Sequence, residues 1–284
     1  MFKSILIAGC GFIGLPLARS FASSGWRTCA ITRSASTAAD LTHEAFQVEP
    51  VDITNTASFR HLSHNVFDVI IHCASSGRRG ALAYEAVYLN GTQNLIEFRP
   101  KLFVFAGSTS VYAQANGSWV DEQSPANPSS ETGKILRKTE DLILNSNGTV
   151  ARLAGLYGPG RCVPLEKLVN GQALIEGEGE RMINMVHQVD AVGGLRFLIQ
   201  NNLQGIFNVA DNEPVPQLDW FVWVCKQLKK PLPPHAPRDL NRKRGWTNKK
   251  VSNRKLRSLG WEPRYPTFKE GIGEILARQI DTGN

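Results

Sequence analysis

The chain has 284 residues and a mass of 31.3 kDa, enough for one large α/β unit with an addition, or for two domains. It is 42% hydrophobic and 20% charged, ordinary values for a soluble globular protein, which exclude global disorder, collagen-like repeats and coiled coil. No run of 18 apolar residues occurs, so no membrane span is expected. The apolar run after Lys3 is broken at Gly9 too soon for a signal peptide.

The first half alternates short apolar runs with helical patterns. Strands are expected at 5–8, 28–31, 46–48, 68–72, 102–106 and 150–153, bounded by Gly, Asp or Ser as buried parallel strands are. Helices are expected between them, at 12–24, 57–63, 81–98 and 132–145. Strand, helix, strand repeated in this way predicts βαβ units and a Rossmann-type, doubly wound parallel sheet. After Leu153 the texture changes to a Gly/Pro-rich loop at 155–160. A helix over 189–200 follows, with Asp190 in the N-cap position. Then come a strand at 206–209, a helix at 218–228 and a Pro-rich stretch at 231–237. The expected division is residues 1–153 with 184–211 as the dinucleotide-binding domain. Residues 154–183 with 212–284 form a smaller C-terminal substrate lobe.

Five cysteines (Cys10, Cys29, Cys73, Cys162 and Cys225) lie far apart with no C-x-x-C. That is neither a disulfide framework nor a zinc signature, so a reducing cytoplasm and no metal are expected. The formal net charge is +7 and the pI near 9.3. Residues 226–264 hold 13 Lys/Arg against Asp239 and Glu262, a local +11 that leaves −4 for the rest. Such a segment suits an anion, either a phosphorylated small molecule or a nucleic acid, and equally a solvated basic face. Trp246 and Trp261 within it suit base stacking or packing against a neighbouring domain. Nucleic acid ranks last of these partners, and monomer and homodimer both stay open.

The first strand runs into Gly9-Cys10-Gly11-Phe12-Ile13-Gly14, a G-x-G-x-x-G between strand and helix. Gly9 allows the turn, Gly11 lets backbone approach a pyrophosphate, and Gly14 lets helix and strand pack closely. The helix start, with Phe12 and Ile13, offers N–H groups and a positive dipole end to phosphates. An NAD-preferring site places an acid about 20 residues on, for the ribose 2′-hydroxyl. Here Arg33 stands 19 residues after Gly14, beside Ser34 and Ser36. A guanidinium there suits a 2′-phosphate, so NADP is expected over NAD.

These residues resemble the extended short-chain dehydrogenase/reductase family of NAD(P)-dependent sugar epimerases and dehydratases. The likeness continues through Val51-Asp52-Ile53, Ile71-His72-Cys73-Ala74-Ser75, Ala106-Gly107-Ser108-Thr109-Ser110-Val111-Tyr112, the loop from Arg152 to Gly160, Val186-His187-Gln188-Val189-Asp190, Gly205-Ile206-Phe207-Asn208-Val209 and Leu259-Gly260-Trp261-Glu262-Pro263. The resemblance implies that Asp52, Ile53, Ala74 and Ser75 contact the cofactor and that Ser108 orients substrate. It also implies a Tyr-x-x-x-Lys pair on a helix, the Tyr as proton donor and the Lys lowering its pKa. In this chain Thr132 takes the tyrosine position and Leu136 the lysine position. Thr132 is a far poorer acid, which leaves Tyr88, Tyr112 and Tyr157 as candidate donors. Tyr88 stands where relatives carry a helix asparagine. Tyr157 and Arg161, with Arg242 and Arg244, are candidate substrate contacts. Two functions remain open: an atypical NADP-dependent oxidoreductase or epimerase acting on a sugar nucleotide or small carbonyl compound, and a non-catalytic NADP(H)-binding redox sensor.

Overall fold

The computed structural model describes residues 3–62, 65–77, 80–239 and 246–281. Its centre is a seven-stranded, wholly parallel sheet. The strands are β1 (Ser4–Ala8), β2 (Arg27–Thr32), β3 (Gln47–Pro50), β4 (Val69–His72), β5 (Leu102–Ser108), β6 (Thr149–Leu153) and β7 (Gly205–Val209), in the order β7-β6-β5-β4-β1-β2-β3. Each expected strand is present within one or two residues. Ile5, Leu6, Ile7 and Ala8 are all fully buried, because helices cover both faces of a parallel sheet and no strand needs a polar side.

Chain order reverses between β1 and β4, whose registers pair Ala8 with His72. A crevice opens at the carboxyl ends of strands at such a switch point, and ligands bind there in doubly wound sheets. The helices that frame it are α1 (Gly14–Ala22) and α2 (Glu131–Asn145); α3 (Gln188–Gln200), α4 (Gln217–Leu228) and α5 (Phe268–Asp281) follow. Ser130 caps α2 by accepting from the Gly133 N–H.

Three expectations change. The helix expected over 81–98 is broken into Ala81–Tyr84, a π-helical turn Glu85–Asn90, and Gly91–Ile96. A π turn inserts an extra residue per turn and re-aims the side chains on it. The helix expected at 57–63 is a 3-10 segment, Thr56–Leu62. Asp190 does not cap α3: His187 Nδ1 accepts from the Val189 N–H, while Asp190 accepts from the backbone N–H of Arg264 at 2.6 Å and of Tyr265 at 3.0 Å. The acid is used to hold a distant segment instead of its own helix.

Buried apolar residues fall into two clusters. The larger surrounds the sheet and includes Val251, Leu256 and Trp261 from beyond residue 212. The smaller gathers Tyr157, Leu165, Leu168, Trp220, Phe221 and Val224 with Phe268, Ile272 and Ile275 of α5. Inside the larger core lies a buried ion pair. Arg152 on β6 donates to both carboxylate oxygens of Glu140 on α2, at 2.9 and 2.7 Å. Its guanidinium also lies 4.7 Å from the centroid of the Tyr112 ring.

Candidate active site

The crevice at the switch point is part of one cavity of about 1400 Å³. Its first half is the glycine loop. Gly9 has φ +102°, and a Cβ there would lie 2.4 Å from the Ala74 Cα; a Cβ on Gly14 would lie 1.9 Å from the Gly9 carbonyl oxygen. Neither position has room for a side chain. Gly11 is the opposite case: its Cβ direction meets nothing within 4 Å, and the residue lines the cavity. The start of α1 carries no side-chain cap, and Gly11, Phe12 and Ile13 just before it line the cavity. A tight turn, an open cradle over Gly11 and an uncapped helix start fit the pyrophosphate of a dinucleotide.

The rest of this half places the expected residues together. Phe12, Ile13, Arg33, Asp52, Ile53, Ala74 and Ser75 all line the cavity. Asp52 Oδ1 accepts from the Thr54 N–H at 2.9 Å and its hydroxyl at 2.8 Å, which fixes the turn after β3. Arg33 is exposed, and among the described residues nothing pairs with its guanidinium. Ser34 does not line the cavity. Its hydroxyl accepts from the Thr37 N–H and caps the short helix Ala35–Asp40.

The middle of the cavity holds Ser108, at the end of β5, and Tyr88. Ser108 Oγ accepts from the Ser110 N–H at 3.2 Å. Tyr88 is carried on the π turn and packs against Tyr84, His72 and Phe105. Beneath it His72 is fully buried, with Nδ1 3.0 Å from Thr92 Oγ1, and burial holds its pKa down at about 3. It is a neutral structural imidazole. Leu136 lines the cavity as an apolar wall where the resemblance implied a lysine.

Three expected site residues are elsewhere. Tyr112 is fully buried off the cavity and donates its hydroxyl to Asn208 Oδ1 at 2.9 Å. Burial raises its pKa, and the ring is a packed and hydrogen-bonded piece of the core, away from the cavity where a proton donor would stand. Thr132 is buried and does not line the cavity. Tyr157 is buried in the smaller core with its ring against Gly271 of α5, and it does not line the cavity either. It is expected to contact substrate; the structure places it under α5, off the cavity lining. Arg161 does line the cavity, but its guanidinium lies 5.0 Å from the Phe12 ring centroid. Arg242 and Arg244 lie outside the described residues.

The far half is lined by residues the sequence did not single out: Lys167, Glu176, Arg181, Asn184 and Lys249. Arg181 Nε is 3.2 Å from Glu176 Oε2. Lys249 is 5% exposed and donates to the Tyr112 carbonyl oxygen and to Thr247 Oγ1, both at 2.9 Å. Burial and the neighbouring Arg181 charge pull its pKa down to about 8. In sequence, Lys249 was one cation in a basic run; only folding distinguishes it from its solvated neighbours. Trp261 is buried against Gly194 and packs in the core, which removes it as a base-stacking surface.

The sheet, the switch point and the glycine cradle define a Rossmann-type dinucleotide-binding protein. The profile of the NAD dependent epimerase/dehydratase family matches residues 5–210, and the chain belongs to that family. Protein YeeZ of Escherichia coli (strain K12) is 28% identical over 279 residues, covering 93% of this chain and 97% of that one. A 3-diazoavenalumate denitrifying reductase of Streptomyces sp is 27% identical over 304 residues, covering 95% and 99%. A solved structure described as an NAD-dependent epimerase/dehydratase, from methylobacillus flagellatus, superposes with TM-score 0.82 at 26% identity, over 99% of this chain and all of that one. The same fold is shared with a UDP-glucuronic acid 4-epimerase from Bacillus cereus solved with UDP-glucuronic acid and NAD, at TM-score 0.79, 19% identity and 97% and 99% coverage. Membership of an NAD dependent family supports a nicotinamide cofactor for this chain. Among the described residues no helix is long and apolar enough to cross a membrane, and no cluster of His, Cys, Asp or Glu is placed to hold a metal.

Proposed function

We propose that this protein is an NADP(H)-dependent oxidoreductase acting on a carbonyl group of a small substrate, a sugar nucleotide or another anionic carbonyl compound. One observation carries the reading: a single cavity runs from the glycine cradle past Ser108 and Tyr88 to a half lined by cations. Gly9, Gly11 and Gly14 shape the cradle, the start of α1 faces the phosphates, and Arg33 receives the 2′-phosphate. The bound cofactor supplies hydride chemistry. Ser108 orients the substrate oxygen, and Tyr88 is the phenol on the cavity wall able to give a proton. Thr132 and Leu136 stand in the positions of the tyrosine and its lysine, so an epimerase's return of hydride and proton loses its usual acid–base group. A reductase needs hydride and proton delivered once, and a relative named as a reductase supports that direction.

The test is a titration with NADPH and NADH by nicotinamide fluorescence, followed by NADPH oxidation across a panel of carbonyl compounds and sugar nucleotides. Ser108→Ala is expected to lower turnover about 100-fold or more, as loss of a positioned hydrogen-bonding group does, with the NADPH Kd unchanged. Tight NADPH binding without oxidation of any panel member overturns catalysis and leaves a non-catalytic NADP(H) sensor.

A further inference from the structure

Lys249 is the one buried lysine among the described residues, and the proposed hydride transfer does not use it. It lies on the strand Lys249–Val251, which pairs in parallel with Ser118–Val120, and it lines the cavity. The strand is held on its other side too. Asn184 Nδ2 donates to the Lys249 carbonyl oxygen at 2.9 Å, and the Val251 N–H donates to Asn184 Oδ1 at 2.7 Å. With its own two hydrogen bonds, the amine nitrogen is a fixed point and not the end of a swinging chain.

A buried lysine is ordinarily paired with a carboxylate. Lys249 is not. Its Nζ donates to the Tyr112 carbonyl oxygen and to Thr247 Oγ1, both at 2.9 Å, and among the described residues no carboxylate forms an ion pair with it. An ammonium has three N–H donors, a neutral amine two and a lone pair. Two neutral acceptors therefore satisfy the amine in full, and they leave the third N–H of an ammonium without a protein partner. The charged groups nearby are Glu176, Arg181 and Asp239 on the same lining, Arg152 against the Tyr112 ring, and Lys250 next in the chain. Burial first and the Arg181 charge second lower the Lys249 pKa to about 8. At pH 7 about a tenth of the side chain is then free amine, against roughly one molecule in 2,500 for a lysine in water.

We propose that Lys249 is a covalent capture site on the cavity wall, which takes the aldehyde group of a small compound as an imine. Desolvated lysines are the amines that do this chemistry in proteins. The Nζ lone pair bonds to the carbonyl carbon while the carbonyl π pair moves to oxygen. A proton passes from nitrogen to that oxygen, giving a carbinolamine. Loss of water, with the nitrogen lone pair closing the C=N bond, gives the imine, and water reverses it. An aldehyde carbon carries a single substituent, which suits a nitrogen on a residue only 5% exposed. The step consumes no oxidant, reductant or cofactor and does not involve Ser108, so it stands apart from the oxidoreductase reading.

The experiment incubates the full chain, without cofactor, with propanal at pH 7 and sodium cyanoborohydride. The reductant adds hydride to the C=N bond and fixes a propyl group on the nitrogen, and peptide mass mapping reads the occupancy of each lysine. The chain's α-amino group, whose pKa is ordinarily about 8, is the internal standard for a reactive amine. Lys249 is expected to carry at least about tenfold more adduct than the average exposed lysine, since its larger free-amine fraction outweighs the weaker nucleophilicity of a less basic nitrogen. Lys249→Arg should lose that adduct and keep the one on the α-amino group. Adduct spread evenly over the exposed lysines, or an α-amino adduct with Lys249 unlabelled, overturns the proposal. Failure of the oxidoreductase reading shows separately, as wild-type protein that does not bind or oxidise NADPH.

Discussion

Around the glycine loop the cavity wall is backbone and small side chains: Gly9, Gly11, Ala74 and Gly107. Around the strap 247–251 it is long side chains: Lys167, Glu176, Arg181 and Lys249. The first half is defined by what cannot be added. A Cβ at Gly9 or Gly14 collides with backbone that has nowhere to go. The second half is defined by charges brought together from separated segments, and its tolerance is electrostatic, not steric. Ligand shape is therefore read at one end of the cavity and ligand charge at the other.

Adding atoms tests the steric half most severely. Gly14→Ala is expected to destabilise the fold by more than about 3 kcal/mol, the range of strongly disruptive core changes, measured by denaturant unfolding. Gly11→Ala is its counterpart: the new methyl meets only open cavity, so Tm should stay within about 2 °C while NADPH affinity falls about 100-fold. If Gly11→Ala leaves affinity intact, the cradle is not where the pyrophosphate lies.

Breaking a buried charge pair far from the ligand sharpens the same contrast. Arg152→Met leaves the fully buried Glu140 carboxylate with Arg137 as its remaining ion-pair partner, at 2.9 Å, and is expected to cost somewhat less than the roughly 3–5 kcal/mol of a wholly unpaired buried charge. Replacing both partners with apolar residues should recover much of that loss. Below these effects comes acid stability. The folded-state pKa of His72 is depressed to about 3 from an ordinary value near 6.5, so the unfolded chain binds the proton first. Its contribution is intact above pH 6.5 and declines by about 1.4 kcal/mol per pH unit below it. His72→Gln should flatten that part of the Tm–pH curve relative to wild type. Smallest is Arg33→Ala: a drop of about tenfold in NADPH affinity, the size of one charge-assisted hydrogen bond, with NADH affinity unchanged.

What the sequence made legible follows the same division. The β1 turn and Gly9, Gly11 and Gly14 carry their meaning in local spacing, because a strand, a turn and a helix start are contiguous. The Thr132 and Leu136 positions were legible for the same reason: they are four residues apart on one helix. Arg181 and Lys249 were not. They are separated by 67 intervening residues, and only the hydrogen bonds of Asn184 and Asn248 bring them to one wall. The core placement of Tyr112 and Tyr157 was not legible, because a tyrosine in a motif looks the same whether its ring faces a cavity or a core. The π turn was invisible too, since the apolar pattern over 81–98 is equally that of a continuous helix.

The strap 247–251 is stitched on both sides. Toward the sheet, the Gly117 N–H donates to the Asn248 carbonyl oxygen at 2.8 Å and the Asn248 N–H to that of Gln114 at 3.0 Å. Toward the smaller core, Asn184 and Met182 hold it. Mechanically it is a crossbar between the two jaws of the cleft. Spreading the jaws like a clam requires snapping that crossbar's bonds one by one.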